Sequence, residues 1–268
     1  TELNAGEDIH VIYAPAFEKM WRTVKSPVDT FVHTGLLQGN VMEETRFLGR
    51  VADVKTLLET NGAQYTICYF DENSLDGWTS FMTNHEAAAD YEYLLNWLLD
   101  DPTLGLVFKP KISLTLFQRI NRVSGLIDEA KRTGRCVFLT SEYLVGDIFP
   151  AEAAAAADLC VGKLGGTAPL EARLAGIKTV LIDSEGFGGH PFYTWCRGRI
   201  AYSDWKAVRT AVERFRNAPE AFPDFGEWST NLADFDPFQD GKGGVRLGSY
   251  IAWLHEDLAK GCSKETAL

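Results

Sequence analysis

Apolar residues in this chain fall into short runs separated by amphipathic stretches, and from about residue 64 the alternation becomes regular. Gln64 to Phe70 (QYTICYF) predicts a strand, as do Gly105 to Phe108, Cys136 to Leu139, Leu159 to Gly162, Thr179 to Ile182 and Arg199 to Tyr202. Between them the spacing turns helical. Ala87 to Leu99 is one helix, ended by Asp100-Asp101-Pro102. Ser113 is placed to cap a long helix reaching Arg132, where Gly134 stops it. Ala151 to Ala157 is a third, and a short helix opens at Thr167-Ala168-Pro169 and closes at Gly176. His190 to Cys196 reads as another short helix, and Asp204 caps one running to Asn217. Ahead of the series, Phe47, Val51, Val54, Leu57 and Leu58 keep helical spacing between Met42 and Thr60, with Asn61-Gly62 as the stop. Short apolar strands alternating with helices predict a parallel sheet covered on both faces. Six strands make it an α/β, doubly wound, Rossmann-like sheet, whose ligands sit at the carboxyl ends of the strands.

The ends of the chain are less regular. In residues 1–40, Ile9 to Tyr13 and Asp29 to Leu37 predict strands, with Pro15 and Pro27 breaking the chain between them. Residues 221–244 are rich in turn formers, and Val245 to Lys260 is a helix with Leu247, Tyr250, Ile251, Leu254 and Leu258 on one face. These patterns divide the chain at about residues 40 and 220, with the last segment a helical tail packing back on the central domain.

Composition is that of an ordinary globular chain, 46% hydrophobic and 24% charged. The formal charge of −11 argues against broad nucleic-acid binding, which needs a positive surface. An anionic ligand would have to be held by oriented amides and a few cations. No apolar run approaches the roughly 20 residues of a membrane span. The five cysteines are scattered, three of them inside apolar strands, which fits buried free thiols better than zinc pairs.

The chemistry concentrates between Ala151 and Asp183. Strand, Lys163-Leu164-Gly165-Gly166-Thr167 turn, helix, glycine, strand is a βαβ unit. Amides freed by Gly165 and Gly166, with those of the new helix's first turn, point at one spot where a phosphate is favoured. Pro169 suits that first turn because its missing N–H would be unpaired there. Glu171, one turn further, is placed to accept hydrogen bonds from hydroxyls attached to the phosphate. There is no G-x-G-x-x-G after the first strand, so a dinucleotide cofactor is not expected.

These residues resemble a known family. Asp158-Leu159-Cys160-Val161-Gly162, Gly166-Thr167-Ala168-Pro169-Leu170-Glu171-Ala172 and Ala175-Gly176-Ile177-Lys178-Thr179-Val180 are similar to the donor-binding half of GT-B glycosyltransferases. Leu106-Val107-Phe108-Lys109-Pro110-Lys111 resembles a strand end of bacterial capsule and polyol-phosphate polymerases. Asp236-Pro237-Phe238-Gln239-Asp240-Gly241-Lys242 with Arg246 resembles the tail of some surface-carbohydrate transferases. The resemblance covers about residues 60–260 and implies transfer of a sugar from a UDP- or CMP-linked donor to a growing surface polysaccharide or another glycan or lipid-linked acceptor.

By position, Gly166 and Thr167 would hold the donor phosphate, Glu171 the ribose, and Lys109 would lie near the phosphate. Lys111 replaces a histidine often found in the family. Residues 1–40 would be the crossover from, or the tail of, an N-terminal domain of the same protein that is missing here. Lys163 is a further candidate cation, or a side chain that snorkels to water. His190 follows the fifth strand, where the donor's sugar or phosphate would lie, or else caps its helix. The loop from Asp71 to His85, with Asp71, Glu72, Asp76 and Trp78, would line the sugar site. An acceptor-activating base is needed for inversion; His85, Asp76 or a residue of the missing half would supply it. No paired-carboxylate motif sits at a strand end, so neither a metal nor a cofactor beyond the donor is expected. The protein is expected in the cytoplasm, at most peripheral at the inner face of the membrane. Other readings of the same residues are a nucleotide-sugar epimerase, a polyol-phosphate transferase, or a non-catalytic module of an assembly machine.

Overall fold

The computed structural model describes residues 7–23, 27–37, 39, 49–77, 82–141, 148–164, 166–184, 186, 193, 200–228 and 232–263. The chain divides into two units, residues 44–228 and a second formed by 1–43 with 229–268.

The second unit opens with a parallel strand pair, β1 (Glu7–Ile12) and β2 (Val28–His33), joined through α1 (Pro15–Thr23). Sequence spacing gave no helix there. Pro15, read as a breaker, is instead the first helical residue, where a missing N–H costs nothing.

The larger unit runs α2 (Gly49–Thr60), β3 (Tyr65–Phe70), α3 (Asn84–Asp100), β4 (Leu104–Lys109), α4 (Leu116–Arg119), α5 (Ser124–Arg132), β5 (Cys136–Phe138), α6 (Pro150–Ala155), β6 (Leu159–Lys163), α7 (Thr167–Leu174), β7 (Lys178–Ile182), β8 (Ala201–Tyr202) and α8 (Trp205–Asn217). The one long helix expected after Ser113 is broken. Thr115 holds the cap position without a side-chain capping bond to the helix backbone, and a 3-10 turn (Asn121–Val123) separates α4 from α5. Asn121, Val123, Ser124 and Gly125 are weak helix formers, so little local preference keeps those turns in line. The expected helix at His190 to Cys196 lies outside the described residues apart from Tyr193. Asp204 caps α8 as expected, accepting from the Ala207 amide at 2.7 Å.

All six strands of this unit are parallel, in the order β5-β4-β3-β6-β7-β8. Side chains alternate between two cores, one on each face. Ile67, Tyr69, Leu104, Leu106, Phe108, Leu159, Val161, Val180 and Ile182 pack with residues of α3, α5 and α8. Cys68, Phe70, Val107 and Cys160 pack with residues of α2, α6 and α7. Helices on both faces bury the four interior strands almost entirely, which is why those strands read as continuous apolar runs. Cys68, Cys136 and Cys160 are buried free thiols.

The returning segment carries α9 (Leu232–Phe235) and α10 (Gly243–Ala259). Buried Asp236 accepts the amides of Phe238 and Gln239, both at 3.1 Å. Arg246 pairs with Asp240, donates to the Thr34 carbonyl at 3.1 Å and stacks over the Phe238 ring at 3.6 Å. Together these contacts fix the shape of the turn. Gly243 must be glycine because a Cβ there would lie 2.3 Å from the Leu36 carbonyl oxygen. Along α10, Leu247, Tyr250 and Leu254 are half-buried, whereas Ile251, Trp253 and Leu258 are exposed. Among the described residues no helix is long and apolar enough to cross a membrane.

Candidate functional site

The strand order reverses between β3 and β6, and open parallel sheets bind ligands outside the carboxyl ends of the strands at such a point. The strands there end level, since Phe70 pairs with Lys109 on one side and Gly162 on the other. Asp71-Glu72, Pro110-Lys111 and the turn from Lys163 to Gly166 therefore leave the sheet from one edge.

The period of two decides which helices each side chain meets. Lys163 follows Leu159 and Val161 onto the face covered by α3 and α8. There it is buried, 2.6 Å from Asp90 Oδ2, and also donates to Ser184 Oγ. Asp90 accepts from Tyr69 OH at 2.9 Å and from Trp205 Nε1 at 2.6 Å. Lys163 thus lies in a hydrogen-bonded network under the strand end, and it does not snorkel to water. Lys109 falls on the opposite face with Val107, the face of α7. It donates to the Pro110 carbonyl at 3.0 Å and acts electrostatically on Glu171.

Gly162 is what lets α7 start where it does. It faces α7, and a Cβ on it would lie 2.2 Å from Pro169 Cγ. Gly166 holds the cap position of α7 with φ −72° and ψ 146° and has no side chain to cap the first turn. The amides of Thr167 and Ala168 consequently lack a capping side chain of that residue, and the helix dipole is directed at the same spot. Thr167 is exposed there. Glu171 lies one turn further in, only 6% exposed, and no described residue donates a hydrogen bond to its carboxylate. Burial, opposed in part by the charge of Lys109, raises its carboxyl to about 7. A buried carboxylate in that state is costly unless something supplies hydrogen bonds.

On the other side of the edge, Asp71 is buried and holds two loops together. It accepts the Lys111 amide at 2.6 Å and the Tyr91 hydroxyl at 2.9 Å. Burial raises its carboxyl to about 6, against those two hydrogen bonds. The Lys111 side chain pairs with Glu72. Arg119 donates to Ser74 Oγ at 2.6 Å and to the Ile112 carbonyl at 2.8 Å, tying the same two loops again.

Asp76 accepts from the Asn84 amide and side chain, both at 2.9 Å. His85 is exposed and belongs to the first turn of α3, not to the preceding loop. The signal for that earlier start was Thr83 with Glu86, a reciprocal capping box that sequence spacing alone passed over. Gly165, His190 and Trp78 lie outside the described residues. Among the described residues no three His, Cys, Asp or Glu side chains gather as metal ligands.

No protein-family model matches the sequence, and no curated protein sequence matches it. Solved structures do. The wall teichoic acid polymerase TagF, in a crystal soaked with CDPG, aligns with a TM-score of 0.57 at 13% identity, over 95% of this chain and 58% of that one. A trehalose-phosphate synthase from Burkholderia multivorans aligns at 0.53 and 13% identity, over 95% and 59%. The UDP-forming synthase from Burkholderia xenovorans gives 0.51 and 12%, over 91% and 60%. This chain shares the α/β fold of these proteins, the GT-B fold. It spans less than two thirds of the length of each of these GT-B chains. At such identities the likeness establishes the arrangement of strands and helices, and the chemistry must be argued from the side chains.

Proposed function

We propose that the sheet unit binds the nucleotide of an activated donor at the β3–β6 switch point, and that the chain is a glycosyltransferase or the donor-binding half of one. The observation that supports this most is Glu171, a buried carboxylate to which no described residue donates a hydrogen bond, set just behind a helix start without a side-chain cap. Ribose hydroxyls would donate to it while the attached phosphate meets the Gly166–Thr167 amides, with Lys109 and Lys111 as nearby cations.

In the reaction, an acceptor hydroxyl oxygen bonds to the anomeric carbon as the bond from that carbon to the donor phosphate breaks. The bonding pair leaves with the phosphate, and the acceptor's proton passes to a base. Charge grows on the leaving phosphate, so fixed amides and lysines aimed at it favour the transition state over the ground state. His85 and Asp76 remain the base candidates within the described residues. Both Asp76 oxygens already accept from Asn84, which favours His85 of the two. The donor is UDP- or CMP-linked in this reading, the acceptor a glycan or a lipid-linked surface polysaccharide.

The likeness to a wall teichoic acid polymerase favours a second reading, transfer of a polyol phosphate in place of a sugar. Calorimetric titration with UDP, CDP and CMP tests the common part. At least one nucleotide should bind the wild-type chain and bind Glu171→Ala at least about tenfold more weakly, the loss of a charge-assisted hydrogen bond. If none binds, or if Glu171→Ala binds as well, the donor-site reading is wrong. Product analysis with candidate donors and acceptors then separates sugar transfer from polyol-phosphate transfer.

A further inference from the structure

Glu72 stands where an acid is least expected in a phosphate site. One of its carboxylate oxygens lies 2.9 Å from where a Cβ on Gly166 would be, so it overhangs the start of α7. The other pairs with the Lys111 ammonium. The backbone beneath each partner is held in place. Glu72 directly follows Asp71, which is buried and bonded to both Tyr91 and the backbone of Lys111. Arg119 clamps the same two loops through Ser74 and Ile112. The backbones at the roots of Glu72 and Lys111 are therefore set, and the carboxylate sits between a helix start and a cation, the surroundings that favour an anion.

From this placement we infer that Glu72 is a specificity-determining residue of the donor site. Its carboxylate occupies the anion position beside the Gly166 turn until a donor phosphate evicts it and takes over Lys111. The inference rests on the donor-site reading above and gives that site a built-in competitor. Binding of any nucleotide must break the Glu72–Lys111 pair and move Glu72 aside. A ligand lacking an anionic group has no means of displacing the carboxylate from Lys111, and gains nothing from its removal. Glu72 thus selects for ligands whose phosphate outcompetes a tethered carboxylate, and it sets their affinity below what the amides and lysine alone would give.

The test is calorimetric titration of wild type, Glu72→Gln and Lys111→Met with UDP, CDP and, as the uncharged control, uridine and cytidine. Glu72→Gln should tighten the nucleotide that wild type binds by about three- to tenfold, the size expected for removing one like charge beside a bound anion at a half-exposed position. The gain should shrink as salt rises. Lys111→Met should weaken the same nucleotide, and the nucleosides should respond to neither change. Thermal unfolding of each variant verifies that it is folded, and a second variant, Glu72→Ala, should tighten nucleotide binding in the same direction. If wild type binds a nucleotide and both Glu72 variants bind it equally or more weakly, the role given to Glu72 is refuted and the donor site stands. If wild type and all variants bind no nucleotide, the donor-site reading falls and this inference with it.

Discussion

Replacing Glu171 by glutamine should make the protein more stable at alkaline pH and worse at binding a nucleotide. In the folded chain, burial lifts this carboxyl from 4.5 to about 7. The folded state therefore holds the proton more tightly than the unfolded chain does. The stability tied to that proton is complete below pH 4.5 and is lost as pH rises through about 7. At about 1.4 kcal/mol per pH unit, the interval is worth at most about 3.5 kcal/mol by pH 8. Glutamine never ionises, but its amide must still be buried, at a cost of about 1 kcal/mol. Glu171→Gln should thus gain about 1–2 kcal/mol at pH 8, or a few degrees in Tm at this chain length, and gain nothing at pH 5. Urea unfolding of both proteins at the two pH values measures the difference directly. Adding the nucleotide should narrow the gap at pH 8, because ribose hydroxyls would supply the missing donors to glutamate. Equal pH dependence in the two proteins would refute the account of Glu171 as a buried charge awaiting a partner.

Other perturbations follow from the same edge of the sheet. Asp90→Ala leaves the Lys163 ammonium buried without its carboxylate and should cost about 3–5 kcal/mol, whereas Asp90→Leu combined with Lys163→Met should recover most of that in denaturant titrations. A double variant as unstable as the single one would show that Tyr69 and Trp205, not the charge, set the cost. Gly162→Ala should push Pro169 and the start of α7 outward, costing about 1–3 kcal/mol and weakening nucleotide binding, read by unfolding and calorimetry together. Stability also falls as the Asp71 carboxyl ionises, from its ordinary value of 3.8 to about 6. Asp71→Asn should flatten the pH dependence of unfolding in that window.

Much of the sheet unit was legible because its strands are hidden on both faces, and a doubly covered strand leaves an apolar run with few interruptions. The glycine turn, Gly166 and Glu171 were legible for a different reason: the change from strand to helix period brackets them. Lys163 and Lys109 show what was legible but not used. They look alike as cations at strand ends, yet counting by twos from Val161 and from Val107 sends them to opposite faces of the sheet. The pairing of Lys163 with Asp90 joins residues far apart in the chain, and no local pattern announces it. Glu72 was one acid among several in a loop, and its place above Gly166 depends on β3 and β6 ending level. The helix α1 was missed because a proline was read as an interruption when it was a beginning.

The sheet also tapers. Its interior strands β3 and β4 have six residues each and β6 and β7 five, while the marginal strands β5 and β8 have three and two. An incoming polypeptide aligning itself along either rim would find only a short row of open amides and carbonyls to copy. Templated growth of the sheet from one molecule into the next is thereby starved of contacts, so this unit should tolerate high concentration without forming ribbons.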